Sequence, residues 1–411
     1  MVENICPPVD EEGVRTILES KRVNTNFQPV VAIASKSIIG FEAFSRVTGD
    51  DRFIDTRMLF HKDLSPELMV GVDRMCRRMA LEKFKPIHDA HKKLLLGLNV
   101  NVEIFPHIDP NNLTLPRLIK EAGIDPGNIV LEVMDFAPDR DLVAYYCELV
   151  QGLGCKFCLD GCAVDDSFNY AITKINPDFI KLDRSFFGEA EQTDYSAKAL
   201  DALLSVAGHV GASVIGRGVE SESESIRLLL AGVDLQQGYY YTRSEESRPG
   251  DPAGKFMEKI VETHDKYFKV KNKLVLHKKQ RFVEAFKDVS AICTKLSNMS
   301  EEWFEDGCKR LVRKVEEVIS IFVLDDRGRQ ITRRISAGTV QPPHHPDAIM
   351  ETGTDHSVED YVLYLDIGYE KFVTPPFVSP FTGKRSCLIS RPFFNVQGSR
   401  YMVCVELPHP G

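Results

Sequence analysis

The sequence predicts an α/β protein: a (β/α)8 barrel with an antiparallel first strand, then a helical connector and a smaller α+β domain. Residues 10–250 alternate strand-like and helix-like segments, and this many alternating units favour a closed, TIM-like barrel. Several apolar runs in this region end in a polar residue, as barrel strands do at their functional rim. A segment rich in charge, proline and glycine, residues 242–254, then ends the pattern.

The first two predicted strands are FQPVVAIA (27–34) and SIIGFEAF (37–44). Only a short turn separates them, so we predict a hairpin in which the first barrel strand is antiparallel to the second. Apolar residues at helical spacing predict the helices that follow, over residues 66–84, 114–122, 139–153, 194–211 and 221–231.

Three domains are predicted: a barrel over 1–250, a helical connector over 251–298 and an α+β domain over 299–411. The connector is amphipathic, which is typical of both core packing and a dimer stalk, and its sequence favours neither. In the last domain, residues 319–334 and 387–407 each read as strand, turn, strand, which predicts a small antiparallel sheet.

The composition is that of an ordinary globular chain, with 43% hydrophobic and 27% charged residues among 411. A net charge of −9 argues against a nucleic-acid polymer as partner. No apolar stretch approaches the roughly 20 residues that span a bilayer, and the first residues lack a signal pattern. We therefore expect a cytoplasmic protein with reduced cysteines. Cys155 and Cys158 lie three apart on a predicted strand, so they face opposite sides, which argues against a zinc or redox site.

Polar residues at the ends of the predicted barrel strands form the candidate site: Glu42, Asn99, Glu132, Asp160, Lys181, Arg217 and Gln237. Carboxylate and amide oxygens are the ligands that hard dications such as Mg²⁺ prefer. A guanidinium at Arg217 and a glycine at Gly161, directly after Asp160, do not belong in such a site. This mismatch is the main indication of function in the sequence.

The strand-end motifs resemble the EAL domain, the phosphodiesterase family that linearises cyclic di-GMP. The resemblance covers about the first 240 residues in order and spacing, and it rests on GFEAFSR (40–46), LNVN (98–101), LEVMD (131–135), NPDFIKLDRSFF (176–187), GRGVES (216–221) and QQGYYYTR (236–243). It implies a homodimer and two divalent metals, Mg²⁺ or Mn²⁺, held by Glu42, Asn99, Glu132 and Asp160. It implies a catalytic role for Lys181, and ligand binding by Gln28, Glu42, Arg46, Asp183 and Gln237.

Three departures from the family pattern affect this site. Gly161 replaces the aspartate that bridges both metals, and Arg217 replaces a glutamate. The loop CAVDDSF (162–168) lacks the family's glycines, and Asp135 replaces its supporting glutamate. The rim is about three charge units more positive than the family pattern, so we expect Mg²⁺ or Mn²⁺ binding to be weakened or absent.

The side chain of Arg217 has two predicted placements. It pairs with Glu132 or Asp160 in place of a metal, or it points to solvent. Asp165 and Asp166 could also fold back and rescue a metal site, although the spacing does not favour this.

The sequence predicts a cyclic-di-GMP signalling protein with a catalytically degenerate EAL domain that acts as a nucleotide receptor or regulatory scaffold. The alternatives are a weak metal-dependent phosphodiesterase and a protein-interaction module that no longer binds the nucleotide.

Residues 374–394 resemble Cache/PAS-type sensor domains, and the candidates for a small-ligand pocket there are Tyr364, Asp366, Lys384 and Arg391. A domain that only dimerises or docks a partner is equally compatible. His344 and His345 lie in a proline-rich loop, which favours solvated side chains over a metal site.

Overall fold

The computed structural model describes residues 9–48, 53–55, 59, 64–108, 113–134, 139–161, 166–188, 194–243, 255–336 and 351–409. The chain divides into two compact units, Met1–Lys271 and Asn272–Gly411. The division falls inside one long helix, Lys255–Ser297.

The strands of the first unit are β1 (Val23–Ala32), β2 (Ser37–Thr48), β3 (Phe53–Asp55), β4 (Leu95–Val100), β5 (Ile129–Val133), β6 (Lys156–Leu159), β7 (Phe179–Leu182), β8 (Ser213–Arg217) and β9 (Leu235–Gln237). Its helices are α1 (Glu11–Ser20), α2 (Pro66–Ala90), α3 (Thr114–Ala122), α4 (Arg140–Gln151), α5 (Asp166–Lys174), α6 (Asp194–Val210), α7 (Glu222–Ala231) and the start of α8 (Lys255–Ser297).

Eight of these strands close into a barrel, which confirms the predicted architecture. The order β1-β9-β8-β7-β6-β5-β4-β2 closes through pairing of β1 with β2, and β3 extends β2 outside the ring. β1 is antiparallel to both of its neighbours, as the short turn at residues 33–36 predicts. The remaining neighbours are parallel, so the carboxyl ends of β4 to β9 meet at one rim.

Local sequence explains where several helices begin and end. Asp139 accepts a hydrogen bond from the Leu142 backbone at the start of α4, and Ser221 with Glu224 forms a capping box at α7. All five predicted barrel helices are present, although α2 continues to Ala90 with Pro86 inside it. The prediction missed α1, α5 and the three-residue strand β3.

Gly97 on β4 allows the rim carboxylates to approach the barrel wall. A Cβ atom at this position would lie 2.3 Å from Glu132 Oε1 and 3.5 Å from Glu42 Cα. Any side chain at this position would push the Glu132 carboxylate out of its place. The absence of a side chain on β4 is therefore part of the site.

The second unit is built on an antiparallel sheet. It contains the end of α8, then α9 (Phe304–Val312), β10 (Ser320–Asp325), β11 (Ile335–Ser336), α10 (Asp360–Asp366), β12 (Phe372–Val373), β13 (Phe377–Val378), β14 (Arg385–Phe394) and β15 (Arg400–Pro408). The sheet order is β11-β10-β15-β14-β12, and β13 also pairs with β14. The hairpin predicted over 387–407 is β14–β15. The return strand predicted after β10 is reduced to a bridge between Leu324 and Gln330 and the two residues of β11.

Apolar cores cover both faces of this sheet. One face packs against the end of α8 and against α9 through residues such as Ile292, Leu296 and Phe304. The other face packs against α10 through Phe322, Val362 and Met402. Among the described residues, no helix is long and apolar enough to cross a membrane.

Candidate functional site

The centre of the barrel rim is a buried cluster around Lys181. Its Nζ atom lies 2.6 Å from Glu42 Oε2 and 2.6 Å from Glu132 Oε2, and all three side chains are at most 4% exposed. Glu42 also accepts hydrogen bonds from Asn99 Nδ2 and Gln237 Nε2, each at 2.9 Å. Five of the seven strand-end residues from the sequence therefore lie in one hydrogen-bonded cluster.

The two glutamates of this cluster titrate differently because they have different donors. Burial raises the pKa of Glu42, but Lys181, Asn99 and Arg217 outweigh it and lower that pKa to about 2. Burial and the nearby Glu42 carboxylate raise the pKa of Glu132 to about 8 against the opposing effect of Lys181. Glu42 has three donors and Glu132 one among the described residues, so Glu42 is the ionised member.

Arg217 is held against Asp160 at the neighbouring part of the rim. Its Nη1 atom lies 2.6 Å from each oxygen of the Asp160 carboxylate. The carboxylate is 1% exposed, whereas the arginine side chain is 35% exposed. Burial lowers the pKa of Arg217, but Asp160 and Glu42 outweigh it, so the guanidinium stays charged. Two placements of Arg217 were predicted, an internal ion pair and a position pointing to solvent. The structure has the internal ion pair, and the partner of Arg217 is Asp160, not Glu132.

Gly161 follows Asp160 with a backbone φ of +71°, in the left-handed region that favours glycine. Among the residues that the structure describes, no other atom lies within 4 Å of the position that a Cβ atom would occupy. The backbone conformation therefore suits glycine, while the space beside it is open to a side chain.

The remaining predicted ligand-binding residues lie outside the central cluster. Gln28 faces Glu42 across β1 and β2, and its Nε2 atom donates to the Thr242 carbonyl. Arg46 lies four residues beyond Glu42 on β2, half-buried, and donates to the Ser45 carbonyl. Asp183 is exposed and caps the short turn after β7 by accepting from the Ser185 backbone.

Carboxylate oxygens that would hold the pair of dications implied by the resemblance already contact cationic side chains. Both oxygens of Asp160 contact a guanidinium, and one oxygen of each glutamate contacts Lys181. Among the described residues, no group of three or more His, Cys, Asp or Glu side chains is arranged to hold a metal. This arrangement does not fit two dications.

Four other candidate residues lie outside the described part of the chain: Asp135, Asp165, His344 and His345. Asp166 is described, and it is the first residue of α5.

The four candidates for a pocket in the second unit do not come together. Arg391 contacts the Ser290 hydroxyl on α8, and Asp366 pairs with Arg400 at 2.9 Å. The Tyr364 ring lies tilted against the Phe372 ring with centroids 4.7 Å apart, and Lys384 is exposed before β14. Tyr364 and Asp366 lie on α10, whereas Arg391 lies on β14 and Lys384 directly precedes that strand.

Sequence reasoning missed a buried ion pair in the second unit. Arg334 Nη2 donates to Glu406 Oε2 at 2.7 Å, and Ser320 Oγ donates to the same oxygen at 2.6 Å. The two charged side chains are 7% and 0% exposed. The signal was a glutamate inside the apolar run YMVCVEL (401–407), where every residue is buried.

The fold and the rim together define a class: a TIM-like barrel that carries a carboxylate, amide and cation cluster at the carboxyl ends of its strands. The EAL domain model matches residues 11–244 of the chain. The chain therefore belongs to the EAL domain family.

Individual relatives are distant from this chain. PdeI of Escherichia coli (strain K12), a probable cyclic di-GMP phosphodiesterase, is 24% identical over 255 residues, which cover 60% of this chain and 32% of PdeI. YkuI of Bacillus subtilis (strain 168), an uncharacterized EAL-domain containing protein, is 22% identical over 325 residues, 75% of this chain and 76% of YkuI. The chain thus spans about a third of PdeI.

The crystal structure of YkuI, in complex with substrate c-di-GMP and calcium, has a similar fold. It aligns with a TM-score of 0.78 and 18% identity, and covers 97% of this chain and 99% of YkuI. The likeness therefore extends beyond the barrel into the second unit. At this identity it concerns the fold alone.

Proposed function

We propose that this protein is a cyclic-di-GMP signalling protein whose degenerate EAL barrel acts as a nucleotide receptor or regulatory scaffold. The observation that carries the proposal is the contact of Arg217 Nη1 with both oxygens of Asp160, beside Gly161. Two-metal catalysis needs those oxygens to face a dication. A guanidinium keeps its charge at any ordinary pH, so it competes with a metal for Asp160 throughout.

Nucleotide binding is supported by the part of the site that needs no metal. Arg46 shares the Glu42 face of β2, because residues two and four apart on a strand point the same way. Arginine binds phosphate directly through charge-assisted hydrogen bonds. YkuI, whose fold is similar over 97% of this chain, has been crystallised with c-di-GMP.

One observation favours weak phosphodiesterase activity as a second candidate. Asn99, Lys181 and Gln237 each donate a hydrogen bond to Glu42. Gln237 Oε1 is buried and has no hydrogen-bond partner among the described residues, so it is an acceptor left for a donor on a ligand. Most of the family's polar rim is therefore in place around the altered Asp160 region.

The test is a calorimetric titration of the purified chain with cyclic di-GMP in Mg²⁺, followed by chromatography of the nucleotide. We expect binding, intact nucleotide, and loss of binding in Arg46→Ala. Turnover to the linear dinucleotide that disappears in Glu42→Ala would establish the enzyme instead. Neither binding nor turnover would leave the protein-interaction module.

For the rest of the chain we propose the layout of barrel 1–250, connector 251–298 and sensor-like domain 299–411. The second unit's own sheet, with a core on each face, supports an independent domain. We further propose that the protein is cytoplasmic and a homodimer. Light scattering of the purified chain tests the dimer directly.

A further inference from the structure

We propose that Arg217 binds the phosphodiester of the ligand directly, so that this barrel takes a phosphodiester anion without metal. The inference rests on the proposed receptor function and adds a binding group that has no counterpart in the family pattern, where a glutamate stands at this position. The inference starts from the unequal hydrogen bonding of the nitrogens of the Arg217 guanidinium.

Among the described residues, the guanidinium of Arg217 makes hydrogen bonds through one nitrogen only. Nη1 contacts both Asp160 oxygens, while Nε and Nη2 have no hydrogen bond to any residue that the structure describes. A guanidinium has five N–H donors in a planar fork, and the fork matches the two oxygens of a phosphate. Arg217 therefore has donors left for an anion while it stays anchored.

Exposure distinguishes Arg217 from the other cation of the rim. Lys181 is 0% exposed and sits between two glutamates, so it has no access to a ligand. Arg217 is 35% exposed although its partner Asp160 is 1% exposed. Arg217 thus offers positive charge at the mouth of the rim, whereas Lys181 is enclosed.

The anchoring of Arg217 also orders it before any ligand arrives. The Asp160 backbone donates to the Val133 carbonyl at 2.9 Å, and Arg217 pairs with Gln237 in the sheet. A side chain fixed between a buried carboxylate and a barrel strand loses little freedom when it binds. This preorganisation favours binding without a metal to position the phosphate.

The test is calorimetric titration of the full chain with cyclic di-GMP in EDTA and, separately, in Mg²⁺. Wild type is expected to bind equally well in both buffers. Arg217→Lys keeps the charge but removes the fork, and we expect binding to weaken roughly 10- to 100-fold. Arg117→Lys, in an exposed pair with Glu121 on α3, is the control and should bind as wild type.

The outcomes separate this inference from the receptor proposal. Wild-type affinity in Arg217→Lys, or wild-type binding only in Mg²⁺, overturns the role of Arg217 and leaves the receptor standing. No binding in either buffer overturns both. Should Arg217→Lys unfold, Arg217→Gln with Asp160→Asn removes both charges together. That double variant is expected to lose binding in EDTA, and its retention of wild-type affinity would overturn the inference.

Discussion

The barrel rim and the sheet of the second unit each hold an arginine against a buried carboxylate, but only one pair is open. Arg334 donates from Nε to Ser320 and from Nη2 to Glu406, and its guanidinium lies over the rings of Phe322 and Phe381. It is 7% exposed, against 35% for Arg217. An arginine and an acidic residue thus form a closed structural pair in one unit and an accessible group in the other.

The largest expected effect comes from converting the open pair to the family pattern. Gly161→Asp with Arg217→Glu adds two carboxylates and frees both oxygens of Asp160 for metal. We expect Mg²⁺- or Mn²⁺-dependent linearisation of cyclic di-GMP to rise roughly a hundredfold or more. No atom of a described residue lies near the Cβ position of residue 161, and aspartate tolerates the left-handed backbone there better than most residues.

The matched control is Gly161→Asp alone, which leaves Arg217 on Asp160 and should stay near background. Turnover is measured by chromatography of the nucleotide. An inert double variant in both metals would contradict the idea that these two positions silence the rim. It would instead point to the segment 162–168.

Breaking the closed pair, Arg334 with Glu406, should lower mainly the free energy of unfolding of the second unit. Arg334→Met leaves the Glu406 carboxylate buried without its cation, which costs about 3–5 kcal/mol of unfolding free energy. This cost is measured by urea unfolding, followed by the fluorescence of Trp303. Trp303 is the single tryptophan of the sequence and belongs to the second unit. Arg333→Met, whose side chain is 67% exposed against Glu305, is the control. Equal responses from the two variants would mean that enclosure of the pair is unimportant.

A smaller effect is expected where the barrel wall meets Glu132. Gly97→Ala forces a Cβ atom against the Glu132 carboxylate and should lower the unfolding free energy by about 1–3 kcal/mol. Gly208→Ala, in α6, should instead stabilise by about 1 kcal/mol, because no atom of a described residue lies within 4 Å of its Cβ position. Thermal unfolding by circular dichroism compares them, and destabilisation of similar size in both would refute the close-packing argument.

The smallest effect is a pH response of the second unit. His356 is buried against Phe322, and its ring nitrogens lie within hydrogen-bond distance of Tyr361 and Gln330. Burial, with a smaller effect of Arg334 that outweighs Asp355, lowers the pKa of His356 below its usual 6.5. The unfolded chain therefore gains a proton below pH 6.5 that the folded chain excludes. The free energy of unfolding therefore falls as the pH drops below 6.5, by at most about 1.4 kcal/mol per pH unit.

The same Trp303 unfolding experiment, run from pH 7.5 to 5, measures this response. His356→Gln keeps hydrogen-bonding capacity without titrating, so its stability should change less over that range. An identical pH dependence in the two proteins would assign the effect to other groups.

The rim could be predicted from sequence because parallel strands put their carboxyl ends at one edge. Once each apolar run was identified, Glu42, Glu132 and Gln237 had to converge. The partner of Arg217 could not be predicted, since Asp160 and Glu132 lie on neighbouring strands and only side-chain packing selects between them. The second unit was harder, because the pairing of a small antiparallel sheet depends on turns and long connections. Tyr364 and Arg391 looked like neighbours in function but lie on different elements.

The antiparallel first strand also has a kinetic consequence. The turn between β1 and β2 is short, so this hairpin can form as soon as both strands leave the ribosome. Closure of the ring instead joins Val31 to Gln236, at opposite ends of the barrel sequence. Gln237, which donates to Glu42, arrives only with that last strand. The rim cluster is therefore completed at the slowest, most nonlocal step of folding, and a chain that ends before β9 lacks both the closed ring and the finished site.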